Sequence, residues 1–152
     1  MSIRGVHHVA LSVPDIEKAR DFYVSVLGFQ ECSRLEWANA PAVDEIVGLN
    51  GSAAKLMMLK LGNFHLELFE YSAPAPAPLD PRRGVNQYGY THFAFEVTDI
   101  KAEYQRLLAA GVTFHTKPAW SANSGATYGR DPFGNVIELI EIPAGSDFPR
   151  LQ

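Results

Sequence analysis

Two stretches of the chain alternate between apolar and polar residues, as a strand does when only one of its faces is buried. Residues 6–13 and 91–97 both show this alternation. Each stretch is followed by an aspartate at a helix N-cap position, Asp15 or Asp99, and apolar residues then recur at helical spacing until a glycine. The pattern predicts that each half of the chain begins with a strand and an amphipathic helix.

Each half also ends in a predicted hairpin. The hairpin strands are expected at 55–61 and 64–71 in the first half, and at 126–130 and 135–142 in the second. The glycine and proline residues between these strands suit tight turns. Both halves are therefore predicted to contain a strand, a helix and then several strands.

The two halves share sequence landmarks in the same order. Residues 8–16 are HVALSVPDI and residues 92–100 are HFAFEVTDI, while LELFE at 66–70 matches IELIE at 137–141. Such agreement indicates a duplicated unit. A proline-rich run between the halves cannot continue a sheet and predicts an extended connection. The expected organisation is a first module at 4–71, a linker at 72–87, a second module at 88–143 and a tail at 144–152.

Composition excludes some classes of function. The 152 residues include 13 Lys+Arg and 17 Asp+Glu, a net charge of −4, and no basic cluster predicts nucleic-acid binding. The single cysteine, Cys32, cannot form an intrachain disulfide, which favours a reducing environment. No apolar run approaches the roughly 20 residues of a membrane helix, and the start of the sequence lacks the pattern of a signal peptide. We therefore expect a small cytoplasmic protein with no nucleic-acid or membrane partner.

Strand alternation decides which side chains share a face of each sheet. His8 and His92 lie at matching positions of the two first strands, on the face opposite the residues that should pack on the helix. Glu67 and Glu138 lie at matching positions of the two closing strands, between apolar neighbours. A carboxylate in such a strand is costly unless it is paired, protonated or bound to a cation. We interpret the two imidazoles and two carboxylates as one site for a divalent metal, whose identity (Ni, Zn, Co, Mn or Fe) stays open.

These residues also carry a resemblance to a known family. The motif that begins at His8, the closing ELFE, the repeat that begins at His92 and the segment DPFGNVIEL at 131–139 resemble the vicinal oxygen chelate superfamily. That superfamily includes glyoxalase I, methylmalonyl-CoA epimerase, extradiol dioxygenases and the bleomycin or fosfomycin resistance proteins. The resemblance implies an α+β fold of two tandem βαβββ modules that form an open, barrel-like cleft around a metal. It places the metal ligands at His8, Glu67, His92 and Glu138.

The resemblance further implies an enzyme that binds a small oxygenated substrate and acts through a metal-bound enolate. A His/Glu/His/Glu ligand set resembles that of glyoxalase I, whereas the epimerase carries Gln in place of Glu67. We therefore expect a lyase or isomerase of the glyoxalase I or epimerase type, in which Glu138, or else Glu67, moves the proton. Family members pair their modules within one chain or across two chains, and a homodimer is the expected assembly.

Two other classes of function remain open. An extradiol, ring-cleaving dioxygenase would hold iron(II) with the two histidines and Glu138 alone. Two features of the sequence count against this class. One is Thr127. The other is the lack of a histidine at the usual spacing before Tyr128, since His115 is farther upstream. A non-catalytic protein that binds an antibiotic in the same cleft would not need the intact set of ligands.

Three further residues are candidates for binding the substrate. His65 should face the cleft two residues before a predicted ligand, Tyr128 could point its phenol at the substrate, and Arg130 could bind an acidic group. Each of them also has an ordinary structural explanation. His7 has the opposite parity to the neighbouring ligand histidine, so we expect it to pack or to be solvated.

Overall fold

The computed structural model describes residues 2–151 as an α+β protein with two sheets. The chain divides into two compact units, Met1–Pro78 and Leu79–Gln152. Each unit contains a sheet of its own. The fold class expected from the sequence is confirmed.

The first unit follows a strand–helix–strand–helix–strand–strand order. Its elements are β1 (Val9–Ser12), α1 (Ile16–Asp21), a π-helical turn (Phe22–Val26), β2 (Gln30–Trp37), α2 (Pro41–Val47), β3 (Ala53–Leu61) and β4 (Phe64–Ala73). The sheet order is β1-β4-β3-β2, with β1 and β4 parallel and the other neighbours antiparallel. The first strand of the unit therefore lies beside its last strand, and this pairing positions the candidate site.

The second unit repeats this plan with shorter middle strands. Its elements are β5 (His92–Glu96), α3 (Ile100–Ala109), β6 (Thr113–Phe114), β7 (Ala119–Trp120), β8 (Gly125–Arg130) and β9 (Val136–Glu141). Strand β5 is parallel to β9, β9 is antiparallel to β8, and both β6 and β7 pair with β8. Again the first strand lies beside the last.

One face of each sheet packs on the helix of its own unit. The buried side chains of these contacts include Ile16, Ala19 and Tyr23 with Leu66 and Leu68 in the first unit, and Ile100 and Leu107 with Ile137 and Leu139 in the second. Because side chains alternate along a strand, Glu67 and Glu138 point to the opposite face, away from the helix.

The helix N-termini are capped as the sequence predicts. Asp15 accepts a hydrogen bond from the backbone N–H of Lys18, and Asp99 accepts one from Ala102, both at 3.0 Å. These side chains satisfy backbone donors that have no partner within the first helical turn. The expected start of each helix is therefore confirmed.

The second glutamate of each closing segment, ELFE or ELIE, accepts a hydrogen bond from the N-terminus of a helix. Oε2 of Glu70 accepts from the N–H of Ile16 at 2.8 Å, and Oε2 of Glu141 accepts from the N–H of Ile100 at 2.8 Å. Each of these donors belongs to the first turn of a helix, where a carboxylate is also favoured by the helix dipole. The repeated ELFE and ELIE segments therefore tie the last strand of each unit to its helix.

Three local features differ from the simple pattern or refine it. Strand β1 begins at Val9 rather than at residue 6, so His7 and His8 precede it. The first helix becomes π-helical from Phe22, and α2 adds a short helix between β2 and β3. Among residues 2–151, no helix is long and apolar enough to cross a membrane.

Candidate metal centre

Strand pairing brings one histidine and one glutamate together in each unit. In the first unit, the residue two positions after His8 pairs with Glu67 across β1 and β4. In the second unit, the residue two positions after His92 pairs with Glu138 across β5 and β9. The two pairs therefore occupy the same register position of the duplicated fold.

The two side chains of each pair are in direct contact. Nε2 of His8 is 3.2 Å from Oε2 of Glu67, and Nε2 of His92 is 3.1 Å from Oε2 of Glu138. Both glutamate side chains are only 13% exposed, whereas the histidines are 37% and 27% exposed. A carboxylate that has lost most of its water gains from a neighbouring donor or cation. The stability of each buried carboxylate therefore depends on the donor or cation next to it.

The second ring nitrogen of each histidine contacts the preceding residue. Nδ1 of His8 is 2.8 Å from Nδ1 of His7, and Nδ1 of His92 is 2.9 Å from Oγ1 of Thr91. In both units Nε2 is the ring nitrogen that faces the glutamate.

His7 is exposed and belongs to the surroundings of the first pair. Because β1 begins only after His8, strand alternation does not govern this position. The His7 ring also stacks on His65, with centroids 5.4 Å apart and planes at 4° to each other. His65 thus lies in the same cluster, and its role in binding a substrate stays a prediction.

Three aromatic rings lie on the sheet face that carries Glu67. Phe69 and Tyr71 follow Glu67 at alternate positions of β4, and Trp37 of β2 has its ring centroid 6.0 Å from each of theirs. Burial, and then the negative charge of Glu67, raise the pKa of Tyr71. The first pair is therefore bordered by an aromatic surface, formed by Trp37, Phe69 and Tyr71, which the sequence pattern alone did not reveal.

A short polar chain holds Trp37 in place. Its Nε1 donates to Oγ of the buried Ser52 at 2.9 Å, and the Ser52 hydroxyl donates to Asp44 of α2. Asp44 also accepts from the backbone N–H groups of Ser52 and Gly51. The hydrogen bonds from Ser52, and then the one from Gly51, lower the pKa of Asp44. Helix α2 thus fixes one side of the aromatic surface.

Tyr128 lies beside the second pair. It pairs with Glu138 across β8 and β9, and its ring centroid is 4.7 Å from that of His92. Burial, followed by the charge of Glu138 and a hydrogen bond to that carboxylate, raises the pKa of Tyr128. The phenol is therefore close to the proposed base, and its expected contact with a substrate stays a prediction.

His115 lies next to Tyr128 although the two residues are far apart along the chain. The N–H of His115 donates to the carbonyl of Tyr128 at 2.8 Å, and the ring centroids are 6.5 Å apart. The intervening residues loop out through β7, so spacing along the sequence did not indicate this proximity. Antiparallel pairing of the chain around β6 with β8 is the signal that would have found it.

Arg130 uses its guanidinium group on the backbone. It donates to the carbonyl of Gly134 at 2.8 Å and to that of Arg83 at 2.5 Å. These bonds brace the turn between β8 and β9 and connect it to the segment around Arg83. A substrate-binding role for Arg130 stays a prediction.

The donor atoms of each pair fit part of the ligand set of a divalent metal. Bonds of about 2.1 Å place two ligand atoms about 3.0 Å apart at a right angle and about 3.4 Å apart at a tetrahedral angle. The observed separations of 3.2 Å and 3.1 Å lie in that range, and they also suit an imidazole–carboxylate hydrogen bond. In the part of the chain that the structure describes, no group of three or more His, Cys, Asp and Glu side chains is gathered that could hold a metal ion.

Comparison with known proteins identifies the family. The sequence model of the Glyoxalase/Bleomycin resistance protein/Dioxygenase superfamily matches residues 5–139. The chain belongs to this superfamily.

Its relatives include an epimerase and a lyase. The chain is 34% identical to a 2-epi-5-epi-valiolone epimerase from Actinomyces, over 95% of the chain and 82% of that protein. It is 25% identical to the lactoylglutathione lyase of Neisseria meningitidis, over 92% of each. A solved glyoxalase family protein from Bacillus cereus has a TM-score of 0.81 at 23% identity, covering 93% of this chain and 96% of that one. The last similarity shows the fold, and the first two support isomerase or lyase activity in general.

Proposed function

We propose that the protein is a metal-dependent isomerase or lyase that moves a proton beside the carbonyl group of a small oxygenated substrate. The observation that supports this most directly is the His–Glu pair at the same register position in both units. The proposed metal ligands are His8, Glu67, His92 and Glu138. A bound divalent cation would supply a Lewis acid that polarises the substrate oxygens. A homodimer is the proposed assembly.

Glu138 is the proposed base. Its side chain is 13% exposed, its carboxylate is 3.1 Å from Nε2 of His92, and Tyr128 is its partner on the neighbouring strand. A carboxylate held in this way can remove a proton from the carbon beside a carbonyl and return it. Return to the opposite face of that carbon gives epimerisation, and return to a neighbouring atom gives isomerisation. Glu67, at the equivalent position of the first unit, is the second candidate for this role.

The proposed substrate carries a carbonyl group with a second oxygen next to it. Two neighbouring oxygens suit a cation that its protein ligands leave partly open. His65, Tyr128 and Arg130 are proposed to bind the polar groups of the substrate. The compounds in the names of the relatives, 2-epi-5-epi-valiolone and lactoylglutathione, are the first to test.

Exchange of a substrate proton for deuterium tests the proposal. Protein stripped of metal is reloaded with Zn, Ni, Co, Mn or Fe(II) and incubated in D2O with each compound, while NMR follows the signal of the proton beside the carbonyl. We expect metal-dependent exchange, and a loss of about 100-fold or more in Glu138→Gln because general-base catalysis is removed. Glu45→Gln, at an exposed carboxylate of α2, is the control and should retain the full rate. Lack of exchange with every metal and compound would contradict the proposal.

One observation favours an extradiol dioxygenase as the second candidate function. His115 and Tyr128 lie side by side, although their spacing in the sequence counts against this class. In that function the two histidines of the pairs and Glu138 would hold iron(II), and Glu67 would not touch the metal. The protein is loaded with iron under anaerobic conditions and then given catechol and oxygen. Catechol-dependent oxygen uptake that survives Glu67→Ala would favour the dioxygenase over the isomerase.

A further inference from the structure

We infer that Thr91 and His7 are positioning residues that fix the ring orientation and tautomer of His92 and His8 for metal binding through Nε2. The inference rests on the proposed function, because it concerns ligands of the proposed metal. Its evidence is the contact of each Nδ1 atom, at 2.9 Å from Oγ1 of Thr91 and at 2.8 Å from Nδ1 of His7. The sequence pattern singled out neither residue for this role.

Two different side chains make the same contact in the two units. In each case the residue immediately before the histidine supplies the partner of Nδ1, a hydroxyl oxygen from Thr91 and a ring nitrogen from His7. The imidazoles are 37% and 27% exposed, so water could satisfy Nδ1 equally well. Burial alone therefore does not require a protein partner at this atom. The repeated contact, made with unlike residues, points to a requirement at the site.

Hydrogen bonding at Nδ1 decides which ring nitrogen is free to bind a cation. A neutral imidazole has one N–H group and one lone pair. When Nδ1–H of His92 donates to the Thr91 hydroxyl, the lone pair is on Nε2, the atom that faces the glutamate. His8 has the same tautomer when Nδ1 of His7 accepts, which leaves the hydrogen of His7 on its own Nε2. The stacked ring of His65 supports His7 in this orientation.

The variants separate the hydrogen bond from the shape of the side chain. Thr91→Val removes the hydroxyl with little change in shape, and Thr91→Ser keeps the hydroxyl. His7→Phe removes the acceptor but keeps a ring that can stack on His65, and His7→Asn keeps an acceptor near the backbone. Thr98→Val, at an exposed threonine beyond the end of β5, is the matched control.

Two measurements on the full-length protein read the effect without an activity assay. Competition with a chromophoric chelator gives the affinity for Zn²⁺, and long-range ¹H–¹⁵N NMR gives the tautomer of each imidazole with and without Zn²⁺. Loss of an outer hydrogen bond to a metal-bound histidine typically weakens metal binding by about 10–100-fold. We expect a loss of that size in Thr91→Val and His7→Phe, and affinities close to wild type in Thr91→Ser, His7→Asn and Thr98→Val. In the Zn²⁺-loaded wild type, Nδ1 of His8 and of His92 should carry the proton.

The outcomes distinguish failure of the inference from failure of the proposed function. If the wild type binds none of Zn, Ni, Co, Mn and Fe(II), the proposed metal centre is wrong, and unchanged His92 ring signals in metal-free Thr91→Val would then overturn the inference as well. If the wild type binds Zn²⁺ and both Thr91→Val and His7→Phe bind it equally tightly, the inference is wrong and the metal centre stands. Coordination through Nδ1 in either histidine would also overturn the inference.

Discussion

A carboxylate can serve the fold or the site according to the face of the strand on which it lies. Glu67 and Glu70 are three residues apart on β4 and therefore point to opposite faces. Glu67 contacts His8, and Glu70 accepts a hydrogen bond from the first turn of α1. The same division recurs on β9. Because the positions of the two glutamates differ by an odd number, one of them stabilises the fold and the other is a candidate ligand.

Asp44 allows a prediction about pH at this scale. Hydrogen bonds from Ser52, with a further one from Gly51, lower its pKa below the ordinary value of 3.8. Because the pKa is lowered in the folded state, the ionised group stabilises the fold at pH values above the ordinary pKa of 3.8. This contribution is lost as the pH falls through the lowered pKa of the folded state. We therefore expect Asp44→Asn to lower the free energy of unfolding near neutral pH and to have less effect in acid.

Urea unfolding at about pH 6 and at about pH 3 measures this difference, because pH 6 lies well above the ordinary pKa of 3.8 and pH 3 lies below it, where the contribution has begun to fall. Asp147→Asn, at an exposed aspartate after the last strand, is the control and should change neither value. An equal loss of stability in Asp44→Asn at both pH values would show that the charge of Asp44 is not the cause.

At the scale of the element, the contact between the last strand and the helix is the repeated feature. Removing the side-chain acceptor in Glu141→Ala leaves the N–H of Ile100 without its partner. Loss of such an acceptor at a helix N-terminus costs about 1 kcal/mol, and we expect a local loss of that size in α3. Hydrogen exchange of the Ile100 amide should become faster in Glu141→Ala, whereas exchange in α1 should not change.

Glu70→Ala provides the reciprocal experiment, with faster exchange at Ile16 and no change in α3. Glu45→Ala, at an exposed position of α2, controls for the loss of a surface carboxylate. Unchanged exchange at Ile100 in Glu141→Ala would mean that the helix terminus does not need the carboxylate.

The elements that could be predicted are those that local interactions determine. The caps at Asp15 and Asp99 and the hairpin turns depend on residues close together in the chain, and the structure confirms them. The start of β1 at Val9 and the π-helical turn after Asp21 depend on packing within the unit, which no local pattern shows. The proximity of His115 to Tyr128 does not follow from their spacing, because spacing along the sequence does not measure distance across an antiparallel pair.

At the scale of the whole molecule, the duplication of the sequence is enough to single out the candidate ligands. Matching positions in two halves fix which histidine and which glutamate share a face, and within each unit the structure places the two side chains in contact. The duplication could not reveal the surroundings of the pairs, because these differ between the units. Trp37 borders the first pair and Tyr128 borders the second, and each comes from a different strand.

The proposed function predicts one divalent ion per chain. In the proposed function all four residues bind the same ion, and both pairs are then needed for binding. Glu67→Ala and Glu138→Ala should each reduce the bound metal from about one ion per chain to a small fraction of that value, because alanine removes the ligand oxygens. Mass spectrometry of the metal content after dialysis measures the stoichiometry. If each pair bound an ion of its own, the wild type would hold about two ions and each variant would lose only one of them.

Removal of the metal should also lower the stability of the protein. Comparing this loss in the wild type and in a Glu67 variant distinguishes the two candidate functions. A ligand that binds only the folded state adds about 2.7 kcal/mol when its free concentration is 100 times its Kd. A chelator should therefore lower the thermal midpoint of the wild type and leave that of Glu67→Ala unchanged, because that variant has little metal to lose. If Glu67→Ala instead keeps its iron and the same response to the chelator, Glu67 is not a ligand. That result would favour the dioxygenase, in which the two histidines and Glu138 hold the metal without Glu67.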